Sequence, residues 1–180
     1  SDFAEGYETV EALLVVDLLR RGGVEVTMAS ITEDEFVRSS HGVNVEMDAV
    51  LGEVDVLDYD AVILPGGMPG TKYLAGSKPL TDLLTDFYNK GKKIAAICAA
   101  PSVFSGLGFL KGRKATSYPS FMEVIAGDGA VTSEDSVVVD GNVTTSRGLG
   151  TAVDFALSLI TQLENQEKAE EIAESVVYRH

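Results

Sequence analysis

Cys98, the single cysteine of the chain, has the sequence setting that most favours chemistry. It follows a short apolar run, Ile94–Ile97, and precedes two alanines and Pro101, which the first turn of a helix tolerates. This pattern predicts a sharp strand–turn–helix corner, a nucleophile elbow that exposes the side chain at its tip. A thiol at a helix N-terminus is favoured as the thiolate. The alternative is a small apolar side chain packed in the core.

Glu11 is the second candidate for a chemical role. On a helix it shares a face with Leu14, Val15 and Leu18, at the spacing i, i+3, i+4 and i+7. Apolar surroundings raise the pKa of a carboxyl group, so that it stays protonated near neutral pH and can hold a thiolate or deliver a proton. The alternative is a surface glutamate at the edge of the apolar stripe.

Two glycine-containing segments each follow a predicted strand. Residues 65–70 read PGGMPG, and glycines there let backbone N–H groups approach a substrate oxygen, as in an oxyanion hole. No Gly-Lys-Ser/Thr follows, so the segment is not a phosphate-binding P-loop. Residues 146–150 read SRGLG. We expect Arg147 either to bind the carboxylate of a ligand or merely to pair with acidic side chains on the surface. For both segments a plain tight turn is the alternative.

Histidine and cysteine are too scarce for several kinds of site. The histidines are His41 and the terminal His180, and alanine follows Cys98 directly. A Cys–His protease dyad is therefore disfavoured, and zinc catalysis more so. One cysteine forms no internal disulfide, which is compatible with a reducing cytosol, and we expect a cytoplasmic protein without metal or organic cofactor.

Charge and hydropathy limit the partners. The chain has 180 residues, a net charge of -14 and 45% hydrophobic residues. An acidic protein repels phosphate backbones and anionic lipids, so nucleic-acid and membrane partners are not expected. No apolar run reaches the ~18–20 residues that span a bilayer. The acidic residues between Glu164 and Glu174 are interpreted as a solvated helical face.

Helical patterns alternate with short apolar runs, which predicts one α/β domain over residues 1–180 with a mostly parallel sheet between helices. Gly141-Asn142 joins two β runs within Ser136–Thr145 and predicts a hairpin near one sheet edge. A doubly wound domain opens with a buried strand. We expect that strand to be missing upstream of Ser1; in the alternative interpretation, Ser1–Ala4 is its frayed remnant. The predicted helices are Thr9–Arg21, Pro79–Asn89, Ala100–Ser105, Thr151–Asn165 and a segment after Gln166; the predicted strands are Val24–Ala29, Tyr59–Leu64 and Lys92–Ile97.

In order and spacing, the segments EGYETVEA, YDAVILPGG, AAICAAP and TSRGLGT resemble the ThiJ/PfpI superfamily, in particular the branch of the Parkinsonism-associated redox protein. The resemblance implies a flavodoxin-like fold and a homodimer. It also implies that Cys98 is an oxidation-sensitive nucleophile, that Glu11 is the protonated carboxyl bonded to it, and that Gly66, Gly67 and Ala99 form an anion-binding pocket.

By the same resemblance Arg147 lines the pocket, and the dimer contacts fall at Glu8, Asp17, Arg21 and His41. Three residues depart from the family pattern. Tyr118 stands where glyoxalase-active relatives commonly have histidine, alanine replaces the histidine that follows the cysteine in the peptidase branch, and His41 replaces an arginine.

Two functions follow from these expectations. The first is a cysteine-dependent glyoxalase or deglycase that acts on methylglyoxal-type carbonyls or their adducts and protects against oxidative stress. The second is a redox sensor or chaperone in which Cys98 is oxidised to the sulfinate with little turnover. An intracellular protease and a role in thiamine-precursor metabolism have less support from the residues.

Overall fold

The computed structural model describes residues 1–179. Over that range the strands are Asp2–Phe3 (β1), Ala29–Ser30 (β2), Phe36–Arg38 (β3), Asn44–Glu46 (β4), Ala49–Val50 (β5), Ala61–Leu64 (β6), Lys93–Ile97 (β7), Lys114–Ala115 (β8), Val131–Thr132 (β9), Val137–Asp140 (β10) and Val143–Ser146 (β11). The α-helices are Thr9–Arg21 (α1), Gly70–Gly76 (α2), Lys78–Asn89 (α3), Pro101–Gly106 (α4), Met122–Gly127 (α5), Ala152–Leu163 (α6) and Gln166–Ser175 (α7). His180 lies outside the described residues.

The central sheet has the strand order β10-β11-β7-β6, and a second ladder has the order β1-β2-β5. Strand β1 lies beside β6, so the two ladders continue one another. The pairs β6–β7 and β7–β11 are parallel, whereas β10 and β11 form the predicted antiparallel hairpin at the sheet edge. The expected α/β architecture is confirmed.

Alternation along the central strands creates a core on each face of the sheet, because successive side chains of a strand point to opposite faces. On one face Ile63 and Ile97 pack against α1 and α6. On the other, Leu64 and Ile94 pack against α3 and α4. The carboxyl ends of β6, β7 and β11 thus reach the same edge of the sheet with rigid helices on both sides.

Helix α1 has the bounds that the sequence predicts, since Gly22 and Gly23 end it. The strand predicted at Val24–Ala29 is wrong for most of its length, because the ladder contains only Ala29–Ser30. Side chains take the place of strand partners there. The Arg20 guanidinium donates to the Val26 carbonyl at 2.8 Å, and Asp48 accepts the Met28 N–H at 2.8 Å.

The first segment of the chain forms a short buried strand. Asp2 and Phe3 pair in parallel with Ala29 and Ser30. Both residues are buried, so this segment is part of the sheet. Among the described residues, no helix has both the length and the apolar character that crossing a membrane requires.

Candidate active site

Cys98 lies in the corner between β7 and α4, as the sequence predicts. Its N–H donates to the Ser146 carbonyl at 3.0 Å, and its own carbonyl accepts the Tyr118 N–H at 2.8 Å. Its φ of 65° is in the left-handed region, which a non-glycine residue occupies only when its surroundings hold it there. Two hydrogen bonds and a strained backbone therefore fix the direction of a partly exposed thiol.

Glu11 is buried against this corner, with only 2% of its surface exposed. The carboxyl accepts the Gly66 N–H at 3.0 Å and lies beside the Cys98 thiol, which lowers the pKa of Glu11 as a hydrogen-bond donor does. Burial raises the pKa of Glu11 to about 7, and the charge of Glu8 adds to the rise, while the Cys98 and Gly66 hydrogen bonds oppose it. The interpretation of Glu11 as a surface residue is thereby excluded.

Glycine is required at positions 66 and 67 for space. A Cβ at Gly66 would lie 2.6 Å from both the Cys98 Cβ and the Glu11 Oε2. Gly67 has a φ of 93°, and a Cβ there would meet the backbone of Tyr7 and Glu8. The absence of these side chains is what allows the strand end, the start of α1 and the cysteine corner to touch.

The sequence predicts a thiolate at Cys98, but the surroundings of the side chain favour the neutral thiol. Burial raises the pKa of the thiol to about 12, and the charge and hydrogen bond of Glu11 add to the rise. The N–H groups of Ala99 and Gly67 lower it, but they do not outweigh burial and a neighbouring carboxylate. Because the Glu11 contributions come from its ionised form, the thiolate is disfavoured until Glu11 takes the proton. Near neutral pH Cys98 is therefore a thiol, while the Glu11 carboxyl beside it gains and loses its proton.

The three predicted anion-binding positions divide into two groups. The N–H groups of Gly67 and Ala99 lower the pKa of the Cys98 thiol, as hydrogen-bond donors beside the sulfur do. Gly66 departs from the expectation, since its N–H donates to Glu11 instead. Two backbone donors therefore remain to stabilise negative charge on sulfur or on an oxygen bound beside it.

Tyr118 and Arg147 both lie close to the cysteine corner. The Tyr118 ring is 47% exposed and faces Gly148, while its backbone N–H holds the Cys98 carbonyl. Arg147 donates from Nε to the Ser117 carbonyl at 3.2 Å. It also lines an open cavity of about 440 Å³ together with Pro119 and neighbouring residues. Their predicted role as pocket residues remains a prediction.

The residues expected to form dimer contacts lie on an accessible side of the protein. The Glu8 carboxylate caps α1 by accepting the Val10 N–H at 2.6 Å, and its other oxygen lies 3.7 Å from Nδ1 of the exposed His41. Asp17 and Arg21 form an exposed pair, with 2.9 Å between Oδ2 and Nε. Their engagement with a second subunit stays a prediction.

The largest volume among the described cavities lies away from the cysteine corner. A larger cavity of about 890 Å³ lies between Ser1, Thr27 and Ala61, but neither Cys98 nor Glu11 lines it. Within residues 1–179, no cluster of three or more His, Cys, Asp or Glu side chains is arranged to hold a metal ion. The Cys98–Glu11 corner, and not the larger cavity, is therefore the candidate active site.

Sequence reasoning missed the hydroxyl groups behind the site. Thr151 Oγ1 accepts N–H groups from Arg147 at 3.2 Å and Gly148 at 3.1 Å, and it lies 2.7 Å from Ser146 Oγ. The available signal was a threonine three residues after Gly148, at the end of a glycine turn.

The chain is similar in sequence to known proteins. Residues 3–162 match the sequence model described as the DJ-1/PfpI family. The chain is 40% identical over 177 residues to protein DJ-1 homolog A of Arabidopsis thaliana, covering 98% of this chain and 45% of that protein. It is 38% identical over 174 residues to protein dj-1beta of Drosophila melanogaster, covering 97% and 93%. The chain thus spans less than half the length of the Arabidopsis relatives.

Solved structures show the same similarity. The oxidised form of Toxoplasma gondii DJ-1 superposes with a TM-score of 0.94 at 40% identity, covering 99% of this chain and 97% of that one. Drosophila melanogaster DJ-1beta also gives 0.94, at 38% identity, covering 99% and 96%. The whole chain therefore has the fold of these proteins.

Proposed function

This chain belongs to the DJ-1/PfpI family, and from that premise we propose that it is a cysteine-dependent glyoxalase or deglycase. Its substrates are reactive dicarbonyls of the methylglyoxal type, or the adducts that they form, and its role is protection against oxidative and carbonyl stress. The observation that carries the proposal is the placement of the buried Glu11 carboxyl beside Cys98: a Cβ on Gly66 would lie 2.6 Å from both the Glu11 Oε2 and the Cys98 Cβ.

Glu11 is suited to accept the thiol proton. A general base is most effective when its pKa lies near the working pH, and burial places the pKa of Glu11 at about 7. As the sulfur bonds to the aldehyde carbon, the thiol proton moves to Glu11 and the carbonyl π bond breaks. The charge that develops on oxygen lies near the N–H groups of Gly67 and Ala99. Glu11 returns its proton to that oxygen, which completes a hemithioacetal.

The second half of the reaction uses the same carboxyl group. Glu11 removes the proton from the former aldehyde carbon, and the ketone oxygen takes the proton of the neighbouring hydroxyl, which gives an enediol. Glu11 then delivers its proton to the adjacent carbon, so that the ketone becomes an alcohol and the hemithioacetal becomes a thioester. Water then hydrolyses the thioester to a hydroxy acid and regenerates the thiol. Methylglyoxal and water give lactate, and the sequence needs no external oxidant or reductant.

The direct test is lactate formation from methylglyoxal by the purified protein. We expect wild type to turn over and Cys98→Ser to lose activity, because a serine hydroxyl is a far weaker nucleophile in this setting. Ser120→Ala, on the exposed surface, is the matched control and should keep the wild-type rate. Equal rates for wild type and Cys98→Ser would overturn the proposal.

A redox role is the second candidate, and one observation favours it. The N–H groups beside the Cys98 sulfur are equally suited to a sulfinate, and one similar structure is that of an oxidised DJ-1. Mass spectrometry after mild peroxide treatment tests it: Cys98 should gain oxygen before the methionines do. An unmodified Cys98 beside oxidised methionines would remove this candidate.

We also propose a homodimer built on the exposed side of α1. The exposed Val10, the Asp17–Arg21 pair and the His41–Glu8 contact support this surface. Sedimentation of wild type and Val10→Glu tests it: wild type should sediment as a dimer and the variant as a monomer. A monomeric wild type would contradict it.

A further inference from the structure

Two segments hold the backbone of Cys98, and they are joined to each other. One segment, 145–151, supplies the Ser146 carbonyl that accepts the Cys98 N–H at 3.0 Å. The other, 116–119, supplies the Tyr118 N–H that donates to the Cys98 carbonyl at 2.8 Å. Arg147 links them by donating from Nε to the Ser117 carbonyl at 3.2 Å. The strained φ of Cys98 is therefore enclosed in a ring of hydrogen bonds.

The Thr151 hydroxyl lies at the end of segment 145–151 and bonds to that segment. Ser146 Oγ donates to the Ser136 carbonyl at 2.6 Å, the Thr151 hydroxyl donates to the Gly148 carbonyl at 3.0 Å, and the two hydroxyl oxygens lie 2.7 Å apart. The Thr151 oxygen also accepts the N–H groups of Arg147 and Gly148. One hydroxyl thus bonds the backbone of both residues that follow Ser146 and contacts the Ser146 hydroxyl.

We propose that Thr151 is a positioning residue for Cys98. It acts through Ser146 and Arg147. The inference rests on the proposed function, since it concerns the reactivity of the same thiol. Without the Thr151 hydroxyl, the backbone N–H groups of Arg147 and Gly148 lose their acceptor and the Gly148 carbonyl loses its donor. The turn then relaxes, the Ser146 carbonyl moves, and Cys98 leaves the positive φ that directs its sulfur toward Glu11.

The test compares Thr151→Val, which keeps the shape and loses the hydroxyl, with Thr151→Ser, which keeps the hydroxyl. Thr161→Val is the matched control, because Thr161 is an exposed residue of α6 whose hydroxyl bonds only within the helix, to the Leu157 carbonyl at 3.0 Å. Each variant is measured for alkylation of Cys98 by iodoacetamide across pH, for kcat and KM with methylglyoxal, and for melting temperature.

We expect Thr151→Val to lose about tenfold in alkylation rate and in kcat with little change in KM, as a misplaced reacting group does. Its pH profile for alkylation should shift, whereas Thr151→Ser and Thr161→Val should match wild type. A Thr151→Val variant with the wild-type rate and pH profile would overturn this inference and leave the proposed function intact.

Two other outcomes also count against the inference. Equal losses of rate and melting temperature in Thr151→Val and Thr151→Ser would show a general structural role and overturn positioning. An inert wild-type Cys98, neither alkylated nor turning over, would overturn the proposed function and this inference together.

Discussion

The Gly66 N–H donates to Oε2 of Glu11 at 3.0 Å, joining residues 55 positions apart in the sequence. This bond anchors the buried carboxyl at the end of β6, where the Cys98 thiol reaches it. A long-range contact to the backbone thus sets the position of the Glu11 carboxyl relative to Cys98. It depends on the absence of a side chain at position 66.

Gly66→Ala should therefore damage both stability and activity. The added methyl group would lie 2.6 Å from the Cys98 Cβ and 2.8 Å from the Ile97 carbonyl oxygen, and neither is the flexible end of a side chain. Overpacking of this kind costs about 1–3 kcal/mol, which urea unfolding measures. We also expect lactate formation to fall sharply. Gly76→Ala is the control, since a Cβ there meets nothing within 4 Å; equal stability of the two variants would contradict the packing account.

Tyr7→Phe should stabilise the protein. The Tyr7 side chain is fully buried and packs edge-on against Phe3, yet its hydroxyl has no hydrogen-bond partner among the described residues. An unsatisfied buried hydroxyl costs about 1–3 kcal/mol, so its removal should raise the free energy of unfolding by about 1 kcal/mol. Tyr73→Phe, at a position 51% exposed, should change little. A loss of stability in Tyr7→Phe would reveal a partner for that hydroxyl.

The stability of the protein should depend on pH through Glu11. Its pKa is raised on folding from 4.5 to about 7, so the native state binds the extra proton. The resulting stabilisation is complete below pH 4.5 and is lost as the pH rises through about 7. The shift corresponds to about 3 kcal/mol.

Glu11→Gln lacks this titration. The difference in unfolding free energy between wild type and Glu11→Gln should therefore change by about 3 kcal/mol from acidic to mildly alkaline pH. Wild type becomes less stable relative to the variant as the pH rises. Glu174→Gln, an exposed variant on α7, should follow wild type at every pH. A wild-type curve parallel to that of Glu11→Gln would mean that the pKa of Glu11 is not raised.

The predictable parts of the molecule are those set by local pattern. Helix α1 was delimited by its apolar spacing and by Gly22, and the corner at Cys98 by an apolar run that meets Pro101. The strand at Val24–Ala29 was mispredicted because side chains take two of its backbone groups: Arg20, at the end of α1, bonds the Val26 carbonyl, and Asp48 bonds the Met28 N–H.

The electrostatics and the supporting hydroxyls of the site follow from contacts between distant segments. The pKa of Cys98 depends on how deeply Glu11 and the thiol are buried together, which no local pattern reports. The role of Gly66 as a donor to Glu11, and that of Thr151 behind Arg147, likewise appear only once the strand ends meet.

The central claim is that Glu11 takes the thiol proton as Cys98 attacks, and lactate formation from methylglyoxal by Glu11→Gln tests it most directly. Glutamine keeps the size and a hydrogen bond but cannot exchange a proton. With Glu174→Gln as control, we predict that Glu11→Gln stays folded and loses at least about 100-fold in kcat. A folded Glu11→Gln variant that keeps the wild-type kcat would contradict the account.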